Sequence, residues 1–255
     1  MSQVQELTAN KLKIKIYETR QQMGASAAYD VSQKIKELLL HQHFVNMVFA
    51  AAPSQNEFLS HLALEKGVDW SRVNAFHMDE YIGLDRNAPQ SFGQFLKERI
   101  FDRLPFHKVH YLNANTCNPL EECRRYTNLL RHYPIDIVCM GIGENTHIAF
   151  NDPHVADFKD SLLVKEVELD IVSRMQQVHD NCFKQLDDVP SSAITLTIPA
   201  LINAPNIYCI VPGSHKAQAV YHTVHSDVNE RYPSTILRHH ANATLYLDKD
   251  SKVKL

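Results

Sequence analysis

Residues 135–153 read IDIVCMGIGENTHIAFNDP, and the rest of the chain is arranged around them. The largely apolar run Ile135–Met140, closed by Gly141, has the pattern of a buried strand, and the polar loop behind it carries His147. Open α/β sheets place their sites at the carboxyl ends of such strands. His147 is therefore the candidate chemical centre, with Glu144, Asn145, Asn151 and Asp152 as its candidate partners. A single histidine beside a glycine turn is more often structural than chemical. A second polar segment, HMDEYIGL at His77–Leu84, weighs against that here.

That segment closes another apolar strand, Val73–Met78, and puts the carboxylates Asp79 and Glu80 at its carboxyl end. Neighbouring strand residues point in different directions, so one carboxylate can face a cleft, as general base or substrate ligand, while the other is held by structure. A third strand, Val45–Ala52, runs into Pro53, Ser54, Gln55 and Asn56 and then a helix through Leu64. Such a turn aims backbone amides and the positive end of a helix at one point, which suits a phosphate; an ordinary capped connection has the same pattern. The strand Ile207–Val211 ends at Pro212 and Gly213, and Lys216 falls in the first turn of the next helix. A cation there fits an anion bound between it and the amides, or else an exposed surface lysine.

The flanking segments alternate strand and helix. Lys11–Tyr17 (KLKIKIY) reads as a half-exposed strand near a sheet edge, and Arg20–His41 as a helix with Ala27, Val31, Ile35, Leu38 and Leu39 on one face. Helices are expected at Ser91–Leu104, Pro119–Arg131, Pro199 onward and Ser234–His240, and strands at Val109–Leu112, Leu162–Val167, Ala193–Ile198 and Ala243–Leu247. Residues 152–190, with the polar stretch Arg174, Gln176 and Gln177, form a long excursion beside the presumed site and a candidate lid. This order predicts one α/β domain over residues 1–255, Rossmann-like and doubly wound, a largely parallel sheet with helices on both faces.

Composition narrows the partner. With 26 basic against 29 acidic residues the formal net charge is −3, which points away from nucleic acid and membrane surfaces and towards a small molecule. No uncharged apolar run reaches bilayer length and the start has no apolar core, so a soluble cytoplasmic protein is expected. The five cysteines (117, 123, 139, 182 and 209) are odd in number and form no CxxC pair, which argues against a disulfide framework and a thiolate zinc site; most read as buried reduced thiols. Fifteen histidines include His41 with His43 and the pair His239 and His240, neither at metal-ligand spacing; no metal is expected.

Four segments, FHMDEYIGL (76–84), PQSF (89–92), GIGENTHIAFNDP (141–153) and GSHKA (213–217), resemble in order and spacing the glucosamine-6-phosphate deaminase/isomerase family. The 6-phosphogluconolactonases share that fold, but their loop continues differently after the histidine. The resemblance implies a Rossmann-like sheet, no metal or organic cofactor, a phosphorylated amino sugar as substrate and cytoplasmic amino-sugar metabolism. It implies Asp79 as the base that moves a proton between C2 and C1, and His147 as the acid/base that opens the pyranose. Asn145 and Asp152 would orient His147, and Ser54 and Lys216 would bind the phosphate end; beside these, Gln55, Glu80 and Arg174 are further candidate substrate or phosphate ligands from the sequence itself.

Several departures from the family pattern bear on this. Asn145 stands where the family has aspartate, so ring opening is slower or Glu144 supplies the missing charge. Asp152 stands where the family has the longer glutamate, and Thr146 where it has glycine, so a positive φ there would be strained. The family's glycine-rich phosphate turn is here PSQN, and Cys182 takes the place of its phosphate-binding arginine, with Arg174 a nearby substitute. The leading expectation is deamination of glucosamine 6-phosphate to fructose 6-phosphate, by a homo-oligomer. The rivals are a galactosamine-6-phosphate enzyme, a lactone hydrolase and a non-catalytic sugar-phosphate sensor.

Overall fold

The computed structural model describes residues 5–255. Its main sheet has eight strands: β1 (Gln5–Ala9), β2 (Leu12–Tyr17), β3 (Val45–Phe49), β4 (Val73–His77), β6 (Lys108–His110), β7 (Ile137–Met140), β10 (Asn206–Val211) and β11 (Ala243–Asp248). They lie in the order β1-β2-β11-β10-β7-β3-β4-β6, parallel except for the β1–β2 pair. Alternate residues of each inner strand enter opposite cores, as a period of two requires. In β7, Ile137 and Cys139 join one core while Val138 and Met140 join the other.

The first core takes α1 (Arg20–Leu39) through Met23, Ala27, Val31 and Ile35, and α2 (Asn56–Leu62) through Phe58 and Leu62. These two helices touch at Gly24, where a Cβ would lie 2.7 Å from the Cβ of Glu57, so only glycine permits the approach. The second core takes α4 (Pro119–His132) through Cys123, Tyr126 and Leu130, α6 (Ile198–Ile202) through Leu201, and α7 (Ala217–His225) through Ala219 and Val220. Both faces are thus covered, as a parallel sheet needs.

Two features were not read from the sequence. Residues 5–9 form the edge strand β1, which turns over on Asn10 (φ 53°) and covers KLKIKIY, moving it one place inward. A second, antiparallel sheet stands beside the first: β5 (Asp79–Tyr81), β9 (Ser192–Leu196) and β8 (Val164–Glu168), in the order β5-β9-β8. Ser192–Leu196 therefore belongs to this sheet and not to the parallel one. About a third of the 152–190 excursion is β8 and α5 (Ile171–His179). The expected helix at 91–104 is α3 (Phe92–Leu96) running into a π-helical turn, Lys97–Phe101, and the expected helix at 234–240 is a 3-10 helix, Pro233–His239.

Chain order explains where a crevice opens. After β3 the chain moves outward through β4 to β6, then returns to β7 and moves the other way to β10 and β11. The connections leaving β3 and β7, which are neighbours, diverge, and open α/β sheets bind ligands at that switch point.

Candidate active site

The loops after β3, β4, β7 and β10 meet over a cavity of about 60 Å³ lined by Ser54, Gln55, Asp79, His147, Gln176 and Lys216, among others. Asp79 and Glu80 part company here. Asp79 is 6% exposed and its carboxylate makes no hydrogen bond among the described residues. Burial, and then the charge of Glu80, push its pKa well above the usual carboxylate value. Its backbone is fixed by His77, a buried residue the sequence reading left aside. The Leu112 N–H donates to His77 Nε2 (2.9 Å), so His77 Nδ1 donates to the Asp79 carbonyl (2.9 Å), and burial lowers this imidazole to about 4, keeping it neutral.

Glu80 is not a ligand of this cavity. Its carboxylate accepts from the N–H groups of Tyr81, Phe92 and Gly93 (2.8–3.1 Å) and from Ser91 Oγ, and it lines a separate cavity with Arg86, Lys97 and Arg125. Glu80 accepts from the first helical N–H groups of α3 and so fastens that helix to β5.

The loop after β7 is built around His147. Asp152 Oδ1 lies 3.0 Å from His147 Nδ1 and accepts from Asn145 Nδ2 at 3.0 Å, while Asp152 Oδ2 accepts from the Asp170 N–H at 3.0 Å. Burial works against the Asp152 anion. The hydrogen bond and charge of His147, with the Asn145 amide and the Asp170 N–H, outweigh it and hold Asp152 at about 2. The shorter side chain thus reaches the imidazole. With Nδ1 facing Asp152, Nε2 is the nitrogen left for a ligand. Ser173 Oγ of α5 also lies 3.3 Å from Nδ1, a contact that no motif in the sequence announces.

Glu144 does not supply a charge to His147. Its N–H donates to Gln176 Oε1 (2.8 Å) and its carboxylate lies 3.4 Å from His179 Nδ1. Asn145 acts on the loop instead: its Oδ1 accepts the His147 N–H at 3.2 Å while its amide donates to Asp152. Asn151 is structural, donating to the carbonyls of Ile148 and Leu196. Thr146 has φ 71°, so the strain foreseen for a β-branched residue is present. Thr146→Gly should raise Tm by about 1–3 °C, since relief of about 1–2 kcal/mol exceeds the unfolded-state entropy of glycine. Thr146→Ala, which keeps the Cβ, should not; thermal denaturation of the two variants decides, and equal shifts would refute the strain.

At the other wall, Gln55 Nε2 donates to the Ile210 carbonyl and to Ser54 Oγ, leaving its buried Oε1 without a partner among the described residues. Lys216 is 2% exposed, so it is not a surface lysine, and it makes no ion pair within 4.0 Å among the described residues. Burial lowers its ammonium to about 8, against the pull of Asp180 and Glu144. Arg174 is turned away: its guanidinium donates to the carbonyls of Leu186 and Val189, so it does not replace the cation missing at Cys182.

The sequence model described as glucosamine-6-phosphate isomerases/6-phosphogluconolactonase matches residues 18–246, most of the chain. The chain belongs to this family. It is 36% identical over 184 residues to a glucosamine-6-phosphate deaminase of Exiguobacterium sp., covering 72% of this chain and 70% of that protein. It is 33% identical to one of Bacillus cereus over 72% of this chain and 68% of that protein. Among solved structures, a monomeric glucosamine-6-phosphate deaminase superposes with TM-score 0.87 at 24% identity, covering 95% of this chain and 99% of that one. A 6-phosphogluconolactonase from Thermotoga maritima gives TM-score 0.76 at 19% identity, covering 92% of this chain and 99% of that one. These two structures establish the family fold alone. Among the described residues no helix is long and apolar enough to cross a membrane.

Proposed function

We propose that this chain is an aldose–ketose isomerase that converts glucosamine 6-phosphate and water to fructose 6-phosphate and ammonia. The observation that carries the reading is the meeting of an unpaired buried carboxylate, Asp79, a histidine backed by a carboxylate, His147 with Asp152, and the buried cation Lys216 around one cavity. The curated deaminases that share about a third of its sequence support it.

In this reading, His147 Nε2 takes the proton of the C1 hydroxyl and delivers it to the ring oxygen as the C1–O5 bond breaks, and the pyranose opens to the aldehyde. Asp152 steadies the imidazolium that forms between the two transfers. Asp79 then removes the C2 proton, leaving an enolamine, and returns a proton to C1. The resulting C2 imine adds water and expels ammonia. Ser54 and Lys216 hold the phosphate, a role the low exposure of Lys216 supports. The whole chain serves as one domain acting on a small soluble substrate in the cytoplasm, without nucleic acid, membrane or cofactor. Self-association is checked by light scattering, for which a monomer mass would overturn it.

The test is release of ammonia and ketose phosphate from glucosamine, galactosamine and mannosamine 6-phosphates, with 6-phosphogluconolactone alongside. Ammonia from glucosamine 6-phosphate is the expected result. Lactone hydrolysis without ammonia, or binding of every sugar with no turnover, would sink the reading.

Lys216 adds a pH dependence. The folded-state pKa of about 8 lies below the ordinary 10.5, so burying the charged form costs stability below about pH 8 and that cost fades as pH rises towards 10.5. A phosphate binds the charged form. KM should therefore climb above about pH 8, roughly tenfold per unit, and phosphate binding there should take up protons. A KM flat from pH 7 to 9.5 would remove Lys216 from the phosphate site.

A further inference from the structure

Beside the catalytic cavity lies an annex of about 470 Å³, and the two share Ala51, Ala52, Phe92 and Gln177 in their walls. The turn at Pro53–Gln55 separates them: Ser54 faces the catalytic side, Pro53 and Asn56 the annex. Each cavity has a single lysine or arginine among its lining residues, Lys216 in one and Arg99 in the other.

Arg99 is mounted for display. It sits in the π-helical turn Lys97–Phe101, closed by the Asp102 N–H donating to the Lys97 carbonyl at 3.0 Å, a widened turn that re-aims a side chain and is frequent at functional sites. Its Nε donates to Asn56 Oδ1 at 2.7 Å, and its guanidinium lies 3.7 Å from the centroid of the Phe95 ring. Nη1 contacts only the Phe95 carbonyl at 3.5 Å and Glu98 at 3.8 Å, and Nη2 has no hydrogen bond among the described residues. A fork held at one edge and one face keeps its outer edge free for an anion. The acidic residue of the annex, Asp180, has its carboxylate oxygens towards Gln176 (3.4 Å) and His215 (3.9 Å). The Cys182 thiol lines the same annex, within electrostatic reach of Arg99.

We propose that the phosphate of the substrate lies at the junction of the two cavities, over Ser54, clamped between the Lys216 ammonium and the Arg99 guanidinium. Arg99 is then the residue that selects phosphorylated over free sugars. This rests on the sugar-phosphate reading above, and the experiment separates the two.

In the full-length chain, Arg99→Gln and Arg99→Lys are compared with wild type by turnover of glucosamine 6-phosphate and by calorimetry with inorganic phosphate. Arg99→Gln should raise KM and the phosphate Kd by about tenfold or more, the worth of one charge-assisted hydrogen bond, with kcat within about twofold. Arg99→Lys, which keeps the charge, should recover much of both. Phosphate binding by wild type that Arg99→Gln leaves unchanged, or none by wild type, overturns the clamp whatever the turnover. So does equal loss in both variants accompanied by a fall in Tm, which would make Arg99 structural. Phosphate binding sensitive to Arg99→Gln in a protein that releases no ammonia would keep the clamp and overturn the deaminase reading.

Discussion

Asp79→Asn is expected to lower kcat for ammonia release by about 10³–10⁴-fold while leaving the fold intact, because an amide of the same shape cannot accept the C2 proton. The electrostatics give the substitution a second signature. Asp79 is held in the folded chain with its pKa raised by burial and by Glu80. A carboxyl whose folded pKa is raised contributes stability below its unfolded value of about 3.8 and loses it as pH rises through the folded value. At neutral pH the wild-type protein therefore bears a cost that asparagine removes. Asp79→Asn should melt above wild type at pH 7 and together with it near pH 4. The wild-type kcat should also rise with pH along a limb displaced above the ordinary carboxylate range, where the base ionises. A variant that retains a tenth of wild-type kcat, or that melts lower at every pH, would remove Asp79 from the chemistry.

Gly143→Ala is expected to cost about a hundredfold in kcat through His147 alone. A Cβ on Gly143 would lie 2.1 Å from Cε1, 2.2 Å from Nε2 and 2.3 Å from Nδ1 of that imidazole, so the ring has to swing out. Doing so breaks its 3.0 Å contact with Asp152 and moves Nε2 by an ångström or more, a displacement of the kind that costs about 10² in rate. The loop also ties back on itself, since the Gly143 N–H donates to the His147 carbonyl and the Thr146 N–H to the Gly143 carbonyl, both at 2.9 Å. Some stability should be lost with the activity. Steady-state kinetics settle it: kcat within about threefold of wild type would mean that the ring has another place to sit and that its position is not what the glycine secures.

The sequence made the strands of the parallel sheet legible because each is a short run buried on both faces, and the loops at their carboxyl ends because polar residues follow those runs abruptly. His147, Asp79, Ser54, Gln55 and Lys216 were read from that rule together with the family resemblance, and the fold gathers all five at one cavity. The failures share one cause. Glu80 and Arg174 were treated as ligands because a charged side chain near a site looks available, yet both are consumed by backbone groups that only the fold brings near. Glu144 fails for the same reason, its N–H and carboxylate both turned towards α5. The antiparallel sheet escaped notice because Asp79–Tyr81 has no turn signal before it; the chain simply leaves one sheet at Met78 and joins another. Arg99 carried no sequence signal at all, since a π-helical turn leaves none in helical spacing.

The borders of the main sheet have a consequence for how copies of this chain can meet. Among the described residues one border is β1, Gln5–Ala9, with most of its side chains in solvent, and the other is β6, only three residues long. Neither offers a long apolar template on which a further strand could grow. Association by strand addition, and with it fibre-like polymerisation of the sheet, is disfavoured at both ends. Contacts between copies at these two borders would have to come from side chains rather than from a shared strand ladder.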